Sequence, residues 1–132
     1  MGKPNFQALR SRMTALAMEY PALAGRSGVS VAALKRIVSG EQQNPSIGTL
    51  RAIAEALGVE IRIGHGVEVV EQSSAAQFKE SAARRKAEMI VRLVQGTSAL
   101  EAQAVGPEAR RDMVTKTVHE LMTSSPRRLW AS

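Results

Sequence analysis

Ala24 and Gly28 stand four residues apart, and Leu34 and Ile37 follow six and nine residues after the glycine. This spacing constrains the fold more than any other feature of the chain. A small residue at 24 lets two helices cross closely, and a glycine at 28 frees the turn between them to take positive φ. Leu34 and Ile37 then fix the inner face of the second helix. The pattern packs two short helices at a steep angle and leaves the outer face of the second one free.

The flanking residues extend this pair into a bundle. From about Asn5 to Glu19, Phe6, Leu9, Met13, Leu16 and Ala17 recur at helical spacing, with Asn5 as the expected N-cap. Pro21 suits the first turn of a second helix reaching Ser27. Ser30 caps a third, Val31 to Ser39, which turns Ala32, Ala33, Lys35 and Arg36 outward or sideways and ends at Gly40. After the polar loop Glu41-Gln42-Gln43-Asn44-Pro45, Ser46 caps a fourth helix whose Leu50, Ile53, Ala54 and Leu57 face inward before Gly58.

The period then changes. Val59-Glu60-Ile61-Arg62-Ile63 and Val67-Glu68-Val69 alternate apolar and polar residues around Gly64-His65-Gly66, which predicts a hairpin pairing Ile63 with Val67, Arg62 with Glu68 and Ile61 with Val69. An isolated two-stranded hairpin is marginal in water, so this one should lean on the bundle or on a partner chain. A long helix capped by Ser73 or Ser74 follows, with an apolar stripe from Phe78 through Ala82, Met89, Ile90, Leu93 and Val94 to Gln95-Gly96. A short helix is expected from about Ser98 to Val105. Pro107 opens a last one, Glu108 to Met122, with Met113, Val114, Thr117, Val118 and Leu121 inward. The fold class expected is mainly α: a four-helix bundle over 5–58, a β-hairpin over 59–71, a C-terminal helical region over 72–122 and a tail over 123–132.

Composition narrows the function classes. Among the 132 residues, hydrophobic types make up 44% and aromatics 3%, a balance that favours helices with small-residue packing. Eighteen Lys and Arg against twelve acidic residues give a formal net charge of +6, which suits a polyanionic partner. There is no cysteine, so disulfides and thiolate metal sites are excluded. His65 and His119 have no third ligand at suitable spacing, and Asp112 is the sole aspartate, so neither metal binding nor catalysis is expected. No cofactor is implied. No signal peptide or membrane span is evident, and the expected location is the cytoplasm.

The segment from Leu9 to Gly58 resembles the lambda-repressor/Cro, or XRE-like, helix-turn-helix family. Gly28-Val29-Ser30, Ser39-Gly40, Asn44-Pro45-Ser46 and Ala54-Glu55-Ala56-Leu57-Gly58 carry the resemblance. It implies a bundle that binds double-stranded DNA, usually as a dimer, with the third helix in the major groove. By position, Val31, Ala32 and Arg36 stand where the family reads base edges, with Ser30, Ala33 and Lys35 beside them. Arg36 suits a bidentate contact to guanine, and Val31 and Ala32 suit thymine methyls. Where the family often has glutamine for a phosphate contact, Tyr20-Pro21 stands here, and the Tyr20 hydroxyl can substitute. Gln42, Gln43, Asn44 and the amides near Ser46 and Ile47, at the positive end of the fourth helix, supply further phosphate contacts. The family often makes a fifth helix at Val59, where this chain turns to strands.

These residues predict a transcriptional regulator, a repressor binding a palindromic operator as a homodimer through the hairpin or the C-terminal helices. Two alternatives accompany it: an antitoxin whose C-terminal half masks a toxin, and a protein-interaction module on the same fold without DNA binding. Arg84-Arg85-Lys86 either extends the DNA footprint or marks a solvated face. Arg127-Arg128 with Trp130 is either a tail or an anchor for a partner.

Overall fold

A computed structural model describes residues 6–42, 44–64, 66–99 and 106–131, with the side chains of 95–99 left undescribed. Asn5, Gln43, His65 and most of the helix expected from Ser98 to Val105 lie outside the described residues. The chain divides into two compact units, Met1–Phe78 with Trp130–Ser132, and Lys79–Leu129.

The first unit begins with helix α1 (Gln7–Leu16), which buries Leu9, Arg12, Met13 and Leu16. Apolar residues at this spacing make one face, and Arg12 lies on it. The helix stops at Ala17, at φ 52, earlier than the sequence predicts. The left-handed turn there lets the Met18 amide donate to the Met13 carbonyl at 2.9 Å and carries the Met18 side chain inward. Helix α2 (Tyr20–Ser27) has its proline in the first turn and closes on Gly28. Helix α3 (Val31–Val38) and helix α4 (Ile47–Leu57) each start from a serine whose hydroxyl accepts an amide, Ser30 from Ala33 and Ser46 from Thr49. Leu9, Leu16, Leu23, Leu34, Ile37, Ile53 and Leu57 form the core, each fully buried.

Strands β1 (Val59–Ile63) and β2 (Val67–Glu71) pair antiparallel with Ile61 opposite Val69, Arg62 opposite Glu68 and Ile63 opposite Val67, the register that alternation predicts. The hairpin leans on the bundle through Val59, which is buried, and through the contact of α4 with β1.

Arg12 ties these pieces together. Its guanidinium donates to the carbonyls of Leu57 at 2.8 Å, Ser73 at 3.0 Å and Gly58 at 3.4 Å, and it lies 3.5 Å from the Glu71 carboxylate. Two of these acceptors are at the C-terminal end of α4, where carbonyls lack helical partners and the macrodipole favours a cation. The Phe78 ring sits 5.5 Å from the same guanidinium and stacks on Trp130, whose indole N–H donates to the Leu16 carbonyl at 2.9 Å. Where the sequence predicts a tail over 123–132, the chain forms a short helix, α7 (Pro126–Trp130), and Trp130 is buried in the first unit. An indole of this size, with its N–H satisfied, gains more from burial than a free end retains in entropy.

Helix α5 (Ala75–Ala99) starts on a reciprocal cap in which Ser74 accepts from the Gln77 amide at 3.1 Å and the Gln77 side chain accepts from the Ser74 amide at 3.0 Å. It runs on through Gly96 to Ala99 rather than ending there, because one glycine costs a helix only about 1 kcal/mol. In the second unit Ala82, Ala83, Ala87 and Val91 are buried among its described side chains, whereas Met89, Leu93 and Val94 of the expected apolar stripe are exposed. Helix α6 (Pro107–Thr123) fully buries Leu121, while Met113, Val114, Thr117 and Val118 are half-buried. The Lys86 ammonium donates to the carbonyls of Arg128 and Leu129 near the end of α7. No described helix is long and apolar enough to cross a membrane.

Candidate nucleic-acid interface

The turn between α2 and α3 is built from backbone groups that find partners locally. The Gly28 amide donates to the Ala24 carbonyl at 2.9 Å, with Gly28 at φ 77, a left-handed conformation that glycine adopts without steric cost. The Val29 amide then donates to the Ser27 hydroxyl at 3.2 Å, which sets the entry of α3. A fixed turn gives α3 a fixed rotation about its own axis.

That rotation is locked from inside. Leu34 and Ile37 are 0% and 1% exposed, and Val38 is buried beside them. Helical geometry therefore points the opposite face at solvent: Ala32, Lys35 and Arg36 are exposed, and Val31 and Ala33 half-buried. Ser30 is exposed, but its hydroxyl already accepts the Ala33 amide at 3.2 Å, so it caps α3 while standing at the edge of the outward face. The Lys35 ammonium lies 5.8 Å from the centre of the half-buried Tyr20 ring, a cation–π contact that joins the start of α2 to the outer face of α3. Arg36 is exposed and forms no ion pair among the described residues.

The end of α3 feeds the second edge of this surface. The Arg36 carbonyl accepts from the Gln42 amide at 2.9 Å and from the Ser39 hydroxyl at 3.2 Å, folding the loop back against the helix. Gln42, Asn44 and Ser46 are all exposed. Ser46 accepts the Thr49 amide at 3.1 Å, and its hydroxyl lies 2.8 Å from that of Thr49. The first turn of α4 thus keeps its N-terminal amides near solvent, the arrangement that accepts a phosphate oxygen. Ile47, whose amide belongs to this positive helix end, is 49% exposed. Sequence reasoning passed over two residues here: Gly48, with open space where a side chain would be, and Arg51, exposed one turn further on. Arg51, the single basic residue of α4, was the available signal.

Among the described residues no cluster of His, Cys, Asp or Glu could hold a metal ion. Comparison with known proteins agrees with the geometry: residues 18–63 match the family described as helix-turn-helix. No curated protein and no solved structure matches the chain. The matched family is one of DNA-binding regulators rather than enzymes, and it spans α2, α3, α4 and β1. The glycine-turned pair α2–α3 and the family match together show that residues 18–63 carry an XRE-like, lambda-repressor-type helix-turn-helix.

Proposed function

We propose that the protein is a transcriptional repressor that binds a palindromic operator in the cytoplasm as a homodimer. The observation that carries this reading is the outward face of α3, where Ala32, Lys35 and Arg36 stand exposed on a helix whose inner face is fixed by Leu34 and Ile37. Arg36 is assigned to a guanine, bidentate to O6 and N7, with Val31 and Ala32 against neighbouring methyl groups. Ser30, Ala33 and Lys35 flank them, while Tyr20, Gln42, Gln43, Asn44 and Ser46 take phosphates and set register without reading sequence. The exposed Met89, Leu93 and Val94 on α5 support a second protein surface, in a second copy of the chain or in a partner such as a toxin.

Selection of bound duplexes from a random pool, followed by an anisotropy titration, tests the reading. Arg36→Ala should weaken the selected operator by about 1–3 kcal/mol and relax one position in each half-site. Affinity should fall steeply with salt, as counterion release requires. Unchanged operator preference removes Arg36 from the reading face, and failure to enrich any motif refutes sequence-specific binding.

A further inference from the structure

The second unit contains a pocket of about 430 Å³ that the DNA-binding surface does not use. It is lined from α5 by Arg84, by Glu88 four residues on, and by Val91 and Arg92 three and four residues beyond that, so the four share a helix face. From α6 come Arg110, Arg111 and Val114. Val91 is 3% exposed and Val114 half-buried, so the pocket has an apolar floor beneath charged walls.

The charge balance of those walls is the informative part. Among the described residues the guanidinium groups of Arg84, Arg92 and Arg111 face one carboxylate, that of Glu88, across a single concavity, and Glu88 forms no ion pair with Arg84 or Arg92. Like charges gathered around a low-dielectric floor repel one another, a cost that an anion in the pocket would reverse. Arginine favours planar, bidentate partners, which singles out carboxylate and phosphate oxygens. The volume falls within the ~300–1,000 Å³ typical of small-molecule sites, and the buried Val91 with the half-buried Val114 suits a hydrocarbon body rather than a hydrated ion. A convex duplex backbone would gain nothing from a concave apolar floor.

We propose that this pocket binds a small amphiphilic anion, an apolar body bearing one carboxylate or phosphate group, with the arginines holding the headgroup and Val91 and Val114 the body. The proposal stands independently of DNA binding.

The test is calorimetric titration of the full chain at constant ionic strength with phenyl phosphate, benzoate and inorganic phosphate. One of the two aromatic probes should bind saturably with one site per chain, and the tighter of them identifies the headgroup. Inorganic phosphate should bind at least tenfold more weakly. The double variant Arg84→Gln, Arg111→Gln, at exposed positions where folding is checked by circular dichroism, should weaken binding at least tenfold, and Glu88→Gln should tighten it. Absence of saturable binding by either aromatic probe overturns the proposal, as does equal affinity in the double variant or equal affinity for inorganic phosphate. Loss of duplex DNA affinity in the double variant, with the aromatic probes not bound, assigns the arginines to the nucleic-acid backbone instead.

Discussion

Replacing Arg12 with methionine keeps most of the buried stem and removes the guanidinium, which isolates what the charged group does. Three carbonyls, of Leu57, Gly58 and Ser73, lose their donor; the Arg12 side chain is 1% exposed, its bond to Leu57 is buried and the other two are part-buried. Hydrogen bonds to charged groups are worth about 1.5–3 kcal/mol each, and an acceptor left buried without a partner costs about 1–3 kcal/mol. These losses overlap, so the expected cost of Arg12→Met is about 3–5 kcal/mol, the range seen when one partner of a buried charged network is removed. Glu71 contributes little to that sum, because its side chain is 65% exposed and its ion pair is screened. Glu71→Gln should therefore cost under about 0.5 kcal/mol. Arg12→Lys places one ammonium where three directed donors stood, so it should recover less than half of the loss. Urea unfolding followed by the fluorescence of Trp130, the sole tryptophan and a member of the same unit, reads all three variants. A cost below about 1 kcal/mol for Arg12→Met at unchanged m-value would refute the reasoning, because it would mean that the carbonyls find water without help.

Other substitutions separate backbone strain from packing. A Cβ at Gly58, at φ 71, would run into the Phe78 ring, whereas one at Gly28, at φ 77, meets nothing within 4 Å. Gly28→Ala should cost about 1–2 kcal/mol from conformation alone, and Gly58→Ala at least about 1 kcal/mol more in the same urea titration. Ala17 is the converse case, a left-handed alanine among the described residues. Ala17→Gly should raise stability by about 0.5–1 kcal/mol, and a loss would show that α1 ends for some other reason. Trp130→Phe removes the N–H that serves the Leu16 carbonyl and should cost about 1–2 kcal/mol by circular dichroism melting; a neutral result would leave packing as the whole contribution of the indole.

The helix-turn-helix was legible because its determinants are local. A glycine that must turn left-handed, serines that cap, and leucines at helical spacing act within a few residues of each other, so reading along the chain recovers α2, α3, α4 and the hairpin register. Arg12 was not recovered, although Leu9, Arg12, Met13 and Leu16 share one helical face. Its partners at 57, 58 and 73 are supplied by chain folding, and a charged residue ordinarily signals the solvent side. The same distance in sequence hid the place of Trp130, 114 residues from its acceptor. The exposure of Met89, Leu93 and Val94 was hidden differently, since periodicity reports that a face is apolar without saying what covers it. Within the candidate interface, sequence order indicated which residues face outward from α3. Gly48 and Arg51 escaped because exposure at the start of α4 depends on how that helix meets its neighbours.

The placement of Trp130 has a consequence for biosynthesis. The unit that carries the DNA-binding helices is finished by a residue made after residues 79–129 have been added. At ~5–20 residues per second, that interval lasts several seconds. During it the growing chain holds a nearly complete domain whose Leu16 carbonyl and Phe78 ring lack their indole cover. A chaperone or protease that samples nascent chains meets this domain open at that spot, and a premature stop before codon 130 would leave it so permanently.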